Sequence, residues 1–322
     1  MDRDSYNEFK EALKGAITGE LPGVEINESS MLKRNNLKVD AFTINDGSDM
    51  CPVVYPKGLY ESFNDGVSIE RIAKGVAETL HNNSIPEMPE FTREEAEKHI
   101  SISLLNTKMN KELLETCPNR VLKGTDLSEV IRWHLNEECS FLVKNEMMSD
   151  LQMTKEELFN AAKVNLSREQ FSIKSMQDTI KDFFADEGLS NELEAEMMPD
   201  MGTPELLVVS RESKCDGSAA MASDKVMQAV YDRLNEDFFI LPSSRHEIIC
   251  LGKSSVDDPR DLKKMVGEVN ESCLKPDDYL SDNTFKYSGM THSLSMCDED
   301  GVFMETSARQ IERSPKMAMG GI

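Results

Sequence analysis

Long apolar runs are absent from this chain, and its start, MDRDSYNEFKEALKGAITGEL, has no basic region followed by an apolar core. The first absence excludes a helical membrane span, which needs about 20 consecutive apolar residues. The second predicts that no secretory signal is present. Closely paired cysteines are missing too. Cys51, Cys117, Cys139, Cys215, Cys250, Cys273 and Cys297 stand singly and in odd number, which argues against a disulfide framework or a zinc knuckle and for free thiols in a reducing compartment. A cytoplasmic protein is the expectation. Basic residues are scarce: 36 Lys and Arg stand against 59 Asp and Glu, a formal net charge of -23. Phosphate contacts are made by Lys and Arg, so direct nucleic-acid binding and attachment to anionic membranes are disfavoured. The acidity suits simple solubility, a surface for a basic protein partner, or imitation of nucleic-acid charge. The sequence also lacks a glycine-rich phosphate loop and a Gly-x-Ser-x-Gly elbow, and His81, His99, His134, His246 and His292 are isolated from one another. No cofactor or metal ion is implied by these patterns.

What is present is enough apolar residue, 39% of 322, to fill two modest cores. Twenty methionines at helical spacing read as adaptable core filler. The box Ser5-x-x-Glu8 opens a helical stripe through Phe9, Leu13 and Ile17, and Pro22-Gly23 ends it. Strands are predicted near Val24 and Ile26, over 37–44 and over 52–55, with a hairpin turn at Asn45-Asp46-Gly47. Ser68 then caps the stripe Ile69, Ile72, Ala73, Val76, Ala77 and Leu80. Thr92-x-x-Glu95 and Thr154-x-x-Glu157 begin further helices, and the acidic stretch 185–204, punctuated by glycine and proline, reads as a flexible link. Beyond it strand and helix alternate, with Asp258-Pro259 starting the last helix. The expectation is an α+β fold: a small α-β-β-β-α unit over 1–84, a mainly helical middle over 92–184 with room for one strand over 100–105, an α/β unit with a mixed sheet over 204–287, and a flexible, disordered tail over 288–322.

Chemistry-bearing residues crowd together at one place, FFILPSSRHEIICL over 238–251. Ser243, Ser244, His246 and Glu247 could supply the nucleophile, base and orienting carboxylate of a hydrolase, with Arg245 as an anion contact. A triad needs three side chains to converge, whereas neighbours on a strand point to opposite faces. The same residues also make sense as a turn whose hydroxyls and imidazole satisfy local backbone groups. Asn270 either lines a cleft beside this segment or terminates the last helix. Cys250, on an apolar strand, is expected to be inert packing. Asp277-Asp278 and Asp298-Glu299-Asp300 read as solvated surface.

At Ile240-Leu241-Pro242-Ser243-Ser244-Arg245-His246-Glu247, Met265-Val266-Gly267-Glu268-Val269-Asn270 and Leu280-Ser281-Asp282 the chain resembles an uncharacterised bacterial family, common in clostridial gut anaerobes and known only as a domain of unknown function. Leu206-Leu207-Val208-Val209-Ser210 leading to Gly217-Ser218-Ala219-Ala220 is similar to the same family. The likeness extends to about Tyr287, and Arg245 departs from it, since the family usually has a small apolar residue there. The resemblance implies a fold and a bacterial cytosolic setting but no mechanism. Function therefore stays open between a non-enzymatic acidic binding or regulatory protein, a hydrolase built on 242–247, and a nucleic-acid mimic.

Overall fold

The computed structural model describes residues 3–47, 51–82, 89–136, 139–186, 205–297 and 301–303. The chain divides into two compact units, Met1–Asn119 with Val130–Asn165, and Arg120–Glu129 with Leu166–Ile322.

In the first unit, helix α1 (Arg3–Glu20) is followed by strands β1 (Glu25–Leu32), β2 (Lys38–Asn45) and β3 (Val53–Val54), then by helices α2 (Pro56–Asn64) and α3 (Ile69–Asn82). The sheet is antiparallel in the order β1-β2-β3. Phe9, Leu13 and Ile17 of α1, Ile26 and Ile44 of the sheet, and Ile72, Ala73 and Val76 of α3 form one buried cluster, the consequence of an i, i+3/i+4 stripe meeting an alternating strand face. Helix α1 starts before the predicted cap, leaving Ser5 inside it, where it accepts a hydrogen bond from Tyr60 Oη at 3.3 Å. Tyr6 packs edge-on to Tyr60, with ring centroids 5.1 Å apart, so aromatic contact draws the extra turn into the helix.

The middle has the strand expected near 100–105 but departs from the helical expectation in its other strands. Helices α4 (Arg93–His99), α5 (Lys111–Glu115), α6 (Met147–Asp150) and α7 (Lys155–Arg168) alternate with strands β4 (Ile100–Asn106), β5 (Asn119–Val121), β6 (Leu127–His134) and β7 (Ser140–Leu142). The strand order is β4-β6-β5, with β7 also on β6. Every residue of β4 is buried, serines included. Strand β6 reads poorly as a strand because it carries Glu129, which is buried and ion-paired with Arg120. The caps themselves hold: Thr154 Oγ1 accepts from the Glu157 amide at 3.3 Å while Glu157 Oε2 accepts from the Thr154 amide at 2.9 Å.

The second unit contains β8 (Phe171–Ser175), α8 (Met176–Asp186), β9 (Leu206–Arg211), the short 3-10 helix Gly217–Ala222, α9 (Asp224–Leu234), β10 (Phe238–Leu241), β11 (Glu247–Gly252), α10 (Pro259–Cys273), β12 (Phe285–Ser288) and β13 (Ser293–Met296). The strand order is β13-β12-β10-β11-β9-β8, and each neighbouring pair is antiparallel. A mixed sheet is thus replaced by an antiparallel one, for a topological reason. The helical crossover β9-α9-β10 joins two strands that point the same way, as such a connection must, but β11 lies between them; β11-α10-β12 likewise skips β10. Phe239, Leu241 and Leu251 meet Leu262 and Val266 of α10 on one face. Phe238 and Ile240, which alternate with them, are fully buried on the other.

Residues 288–297 of the expected flexible tail are instead part of the fold. Strand β13 pairs with β12, Leu294 and Cys297 are buried, and Cys297 bridges to Phe303. An alternating pattern as short as Leu294 and Met296 between serines is too brief to register in a sequence, yet it suffices for an edge strand. Residues 304–322, the core of the expected link over 187–204 and the acidic cluster 298–300 lie outside the described residues.

Candidate functional site

The residues 242–246 connect β10 to β11 across a hairpin in which Leu241 faces Ile249. A five-membered proline ring at the strand exit removes a ladder donor, and two serines supply side-chain oxygens where the backbone turns. Ser244 Oγ accepts from the His246 amide at 3.0 Å, and the Ser244 amide donates to the Glu247 carbonyl at 3.2 Å. Ser243 Oγ donates to Glu247 Oε1 at 3.3 Å.

Arg245 and His246 reach away from the turn to partners distant in sequence. Asp278 Oδ1 accepts from Arg245 Nε at 3.1 Å and lies 3.1 Å from His246 Nε2. The Asp278 backbone carbonyl also accepts from the Arg245 amide at 2.8 Å. The other side of the guanidinium holds Asp216, with Nη1 to Oδ1 at 2.9 Å. Asp216 is 4% exposed and takes a left-handed backbone, φ 51°, a conformation that costs an L residue roughly 1–2 kcal/mol. Its carboxylate is held in place by the ion pair. Next to it, Gly217 is required: a Cβ there would meet the His246 carbonyl and the Arg211 backbone nitrogen, the latter at 2.7 Å. The adjoining Ser218 amide donates to the Arg245 carbonyl at 3.2 Å.

A second polar group continues from Asp278. Asn270, near the end of α10, donates through Nδ2 to the Ser281 carbonyl at 2.9 Å and to Asp282 Oδ1 at 2.8 Å. Ser281, fully buried, donates from Oγ to the Asp126 carboxylate, whose Oδ2 is 2.8 Å away, and accepts from the Asn283 amide at 3.0 Å. Asn283 Nδ2 reaches the same carboxylate at 3.0 Å. Burial first, and then a hydrogen bond to Asp282, push the Tyr279 hydroxyl well above the usual phenol range. Asn270 thus fastens the 280s segment to α10.

The arrangement brings Ser244, Arg245 and His246 together with Asp216 and Asp278, and Ser243 with Glu247; Asn270 belongs to the neighbouring group around Asp126. Acyl-transfer chemistry would need a serine hydroxyl on the imidazole. His246 has Asp278 on Nε2, and its Nδ1 is enclosed without a hydrogen-bond partner. Ser243 is engaged with Glu247, and Ser244 with the His246 amide. Cys250 is fully buried, which pushes its thiol far up and leaves it unreactive. Sequence reasoning missed three carboxylates here. Asp278 was read as solvated surface, although its closeness to Leu280-Ser281-Asp282 was the available signal; Asp216 and Asp126 gave none.

Among the described residues, no helix is long and apolar enough to cross a membrane and no three His, Cys, Asp or Glu residues gather as they would around a metal ion. No curated protein and no solved structure matches the chain significantly. The four segments gathered here, 206–220, 240–249, 265–270 and 280–282, all fall within residues 6–289, which match the model of the Family of unknown function (DUF5688), and the chain belongs to that family.

Proposed function

We propose that this chain is a non-enzymatic acidic protein of the bacterial cytosol that binds or regulates a basic protein partner. The observation that carries the reading is the engagement of the candidate catalytic side chains: Arg245 and His246 are bound to Asp278, Ser243 to Glu247, and Ser244 to the backbone of its own turn. These ties join three loops and satisfy turn backbone groups, which is a structural task. The charge of -23 supplies the attraction for a basic surface, and such attraction weakens with salt as the screening length shortens.

One observation favours a second reading, a hydrolase. A carboxylate on one nitrogen of His246, Asp278 on Nε2, is half of a catalytic triad, and a small movement could admit a serine or a water to Nδ1. A broad esterase, peptidase and phosphatase screen of the parent and of His246→Ala separates the two, run beside thermal unfolding and native capture of partners at graded salt. Absence of turnover with a salt-sensitive basic partner is the expected result. Robust parental turnover lost in a normally stable His246→Ala protein would overturn the binding reading.

A further inference from the structure

The first unit holds a cavity of about 370 Å³ lined by the ends of α1 and α3, the connection from α1 to β1, and the end of β2 with Asp46 and Pro52 beyond it. This is the low end of the size range for small-molecule sites, about 300–1,000 Å³. Its apolar wall is formed by Leu21, Val24, Ile44 and Leu80, an extension of the buried cluster of this unit. Its polar wall carries Glu20, Asp46 and His81. Glu20 is the last residue of α1 and His81 lies in the last turn of α3, helix ends where unmatched carbonyls amount to about half a negative charge per helix. Helix α1 has no basic residue in its last turn, and α3 has only His81. The His81 Nδ1 lies 2.8 Å from the Ala77 carbonyl; a carbonyl only accepts, so Nδ1 is the donor in this contact. Apolar floor, two carboxylates and two helix ends all favour one ligand chemistry. We propose that this cavity is a binding site for an alkylammonium group, a short apolar stem ending in a primary amine, which goes beyond the reading given above and does not depend on it.

Such a group occurs either on a free aliphatic amine or on a lysine side chain. Methyl-labelled NMR and calorimetric titrations of the full chain with n-pentylammonium, 1-pentanol, valerate and Nα-acetyl-lysine methylamide test the site. Methyl shifts at Val24, Ile44 and Leu80 are expected with pentylammonium and far weaker ones with the alcohol and the acid. Glu20→Gln/Asp46→Asn, both exposed and therefore tolerated by the fold, should weaken pentylammonium by about five- to tenfold, the scale of two solvent-screened charge contacts. Binding of the lysine derivative as well points to a partner's side chain, and binding of pentylammonium alone to a free amine; either upholds the site. Pentanol binding as tightly as pentylammonium, affinity unchanged in the double variant, or no shift at these methyls would overturn it.

Discussion

Asn270→Ala tests whether the polar groups around the 280s segment hold the second unit together. The side chain is 9% exposed and makes two donations, one to the carbonyl of fully buried Ser281 and one to the carboxylate of exposed Asp282. Losing the first strands a buried acceptor, which costs about 1–3 kcal/mol, whereas water replaces the second at little cost. Alanine returns roughly 0.5 kcal/mol through its better helix propensity. The net is a destabilisation of about 1.5 kcal/mol, equivalent to roughly 3–6 °C in Tm for a unit of this size. Urea unfolding should show a lower midpoint at an unchanged slope, the signature of lost stability without a change in exposed surface. Asn270→Asp sharpens the test. It keeps the volume but presents a carboxylate to a carbonyl and to the Asp282 carboxylate, so it should cost more than alanine. If both variants unfold within about 0.5 kcal/mol of the parent, the range of an ordinary surface substitution, the attachment of this segment to α10 contributes nothing and the reasoning fails.

Three further outcomes follow from the same geometry. Arg245→Ala should destabilise by about 2 kcal/mol, because it strips an ion-pair partner from buried Asp216, whereas His246→Ala loses one hydrogen bond and should cost about 1 kcal/mol; the reverse order in chemical unfolding would refute the assignment. Truncation after Ser288 removes β13 and the buried Leu294 and Cys297, so a fall in Tm of about 5 °C or more is expected, and an unchanged Tm would show that the edge strand is dispensable. Glu157 is lowered from 4.5 to about 2 by hydrogen bonds from the Thr154 amide and hydroxyl and from Arg93. A lowered carboxylate stabilises above pH 4.5 and loses that contribution as pH falls toward 2; the Tm gap between parent and Glu157→Gln should therefore be present at pH 7 and close across this window, and a gap that persists undiminished at pH 2 would contradict it.

Local signals were legible wherever one short segment decides its own structure. Ser68, the turn at Asn45-Asp46-Gly47, the Thr154 box and Asp258-Pro259 each mark an element boundary that the chain adopts. The turn expected within 242–247 is likewise present, as the connection from β10 to β11. Elements that depend on remote partners were not legible. Strand β6 owes its burial to Arg120 meeting Glu129. The segment Ile173, Met176, Ile180 and Phe183 keeps a helical period although its first part is β8, paired with β9. There the hydrogen-bonding edge of a neighbouring strand overrides the pattern.

The polar group around 242–246 illustrates the same division at the level of a site. Two crossovers each skip a strand, so β9 and β10 end on the same side as the start of β11, and the connection after α10 returns to that end. Loops leaving the buried strands of a sheet expose amides and carbonyls that must find partners. Asp216, Arg245, Asp278, Asn270, Ser281 and Asp126 supply them, across separations as long as 155 residues between Asp126 and Ser281. Residue types that suggest catalysis in a linear reading are the same types that satisfy buried backbone, and only convergence tells the two apart. Here the convergence puts a carboxylate, not a serine, on His246, which is why unfolding measurements on these residues discriminate between structural and chemical roles more sharply than any motif can.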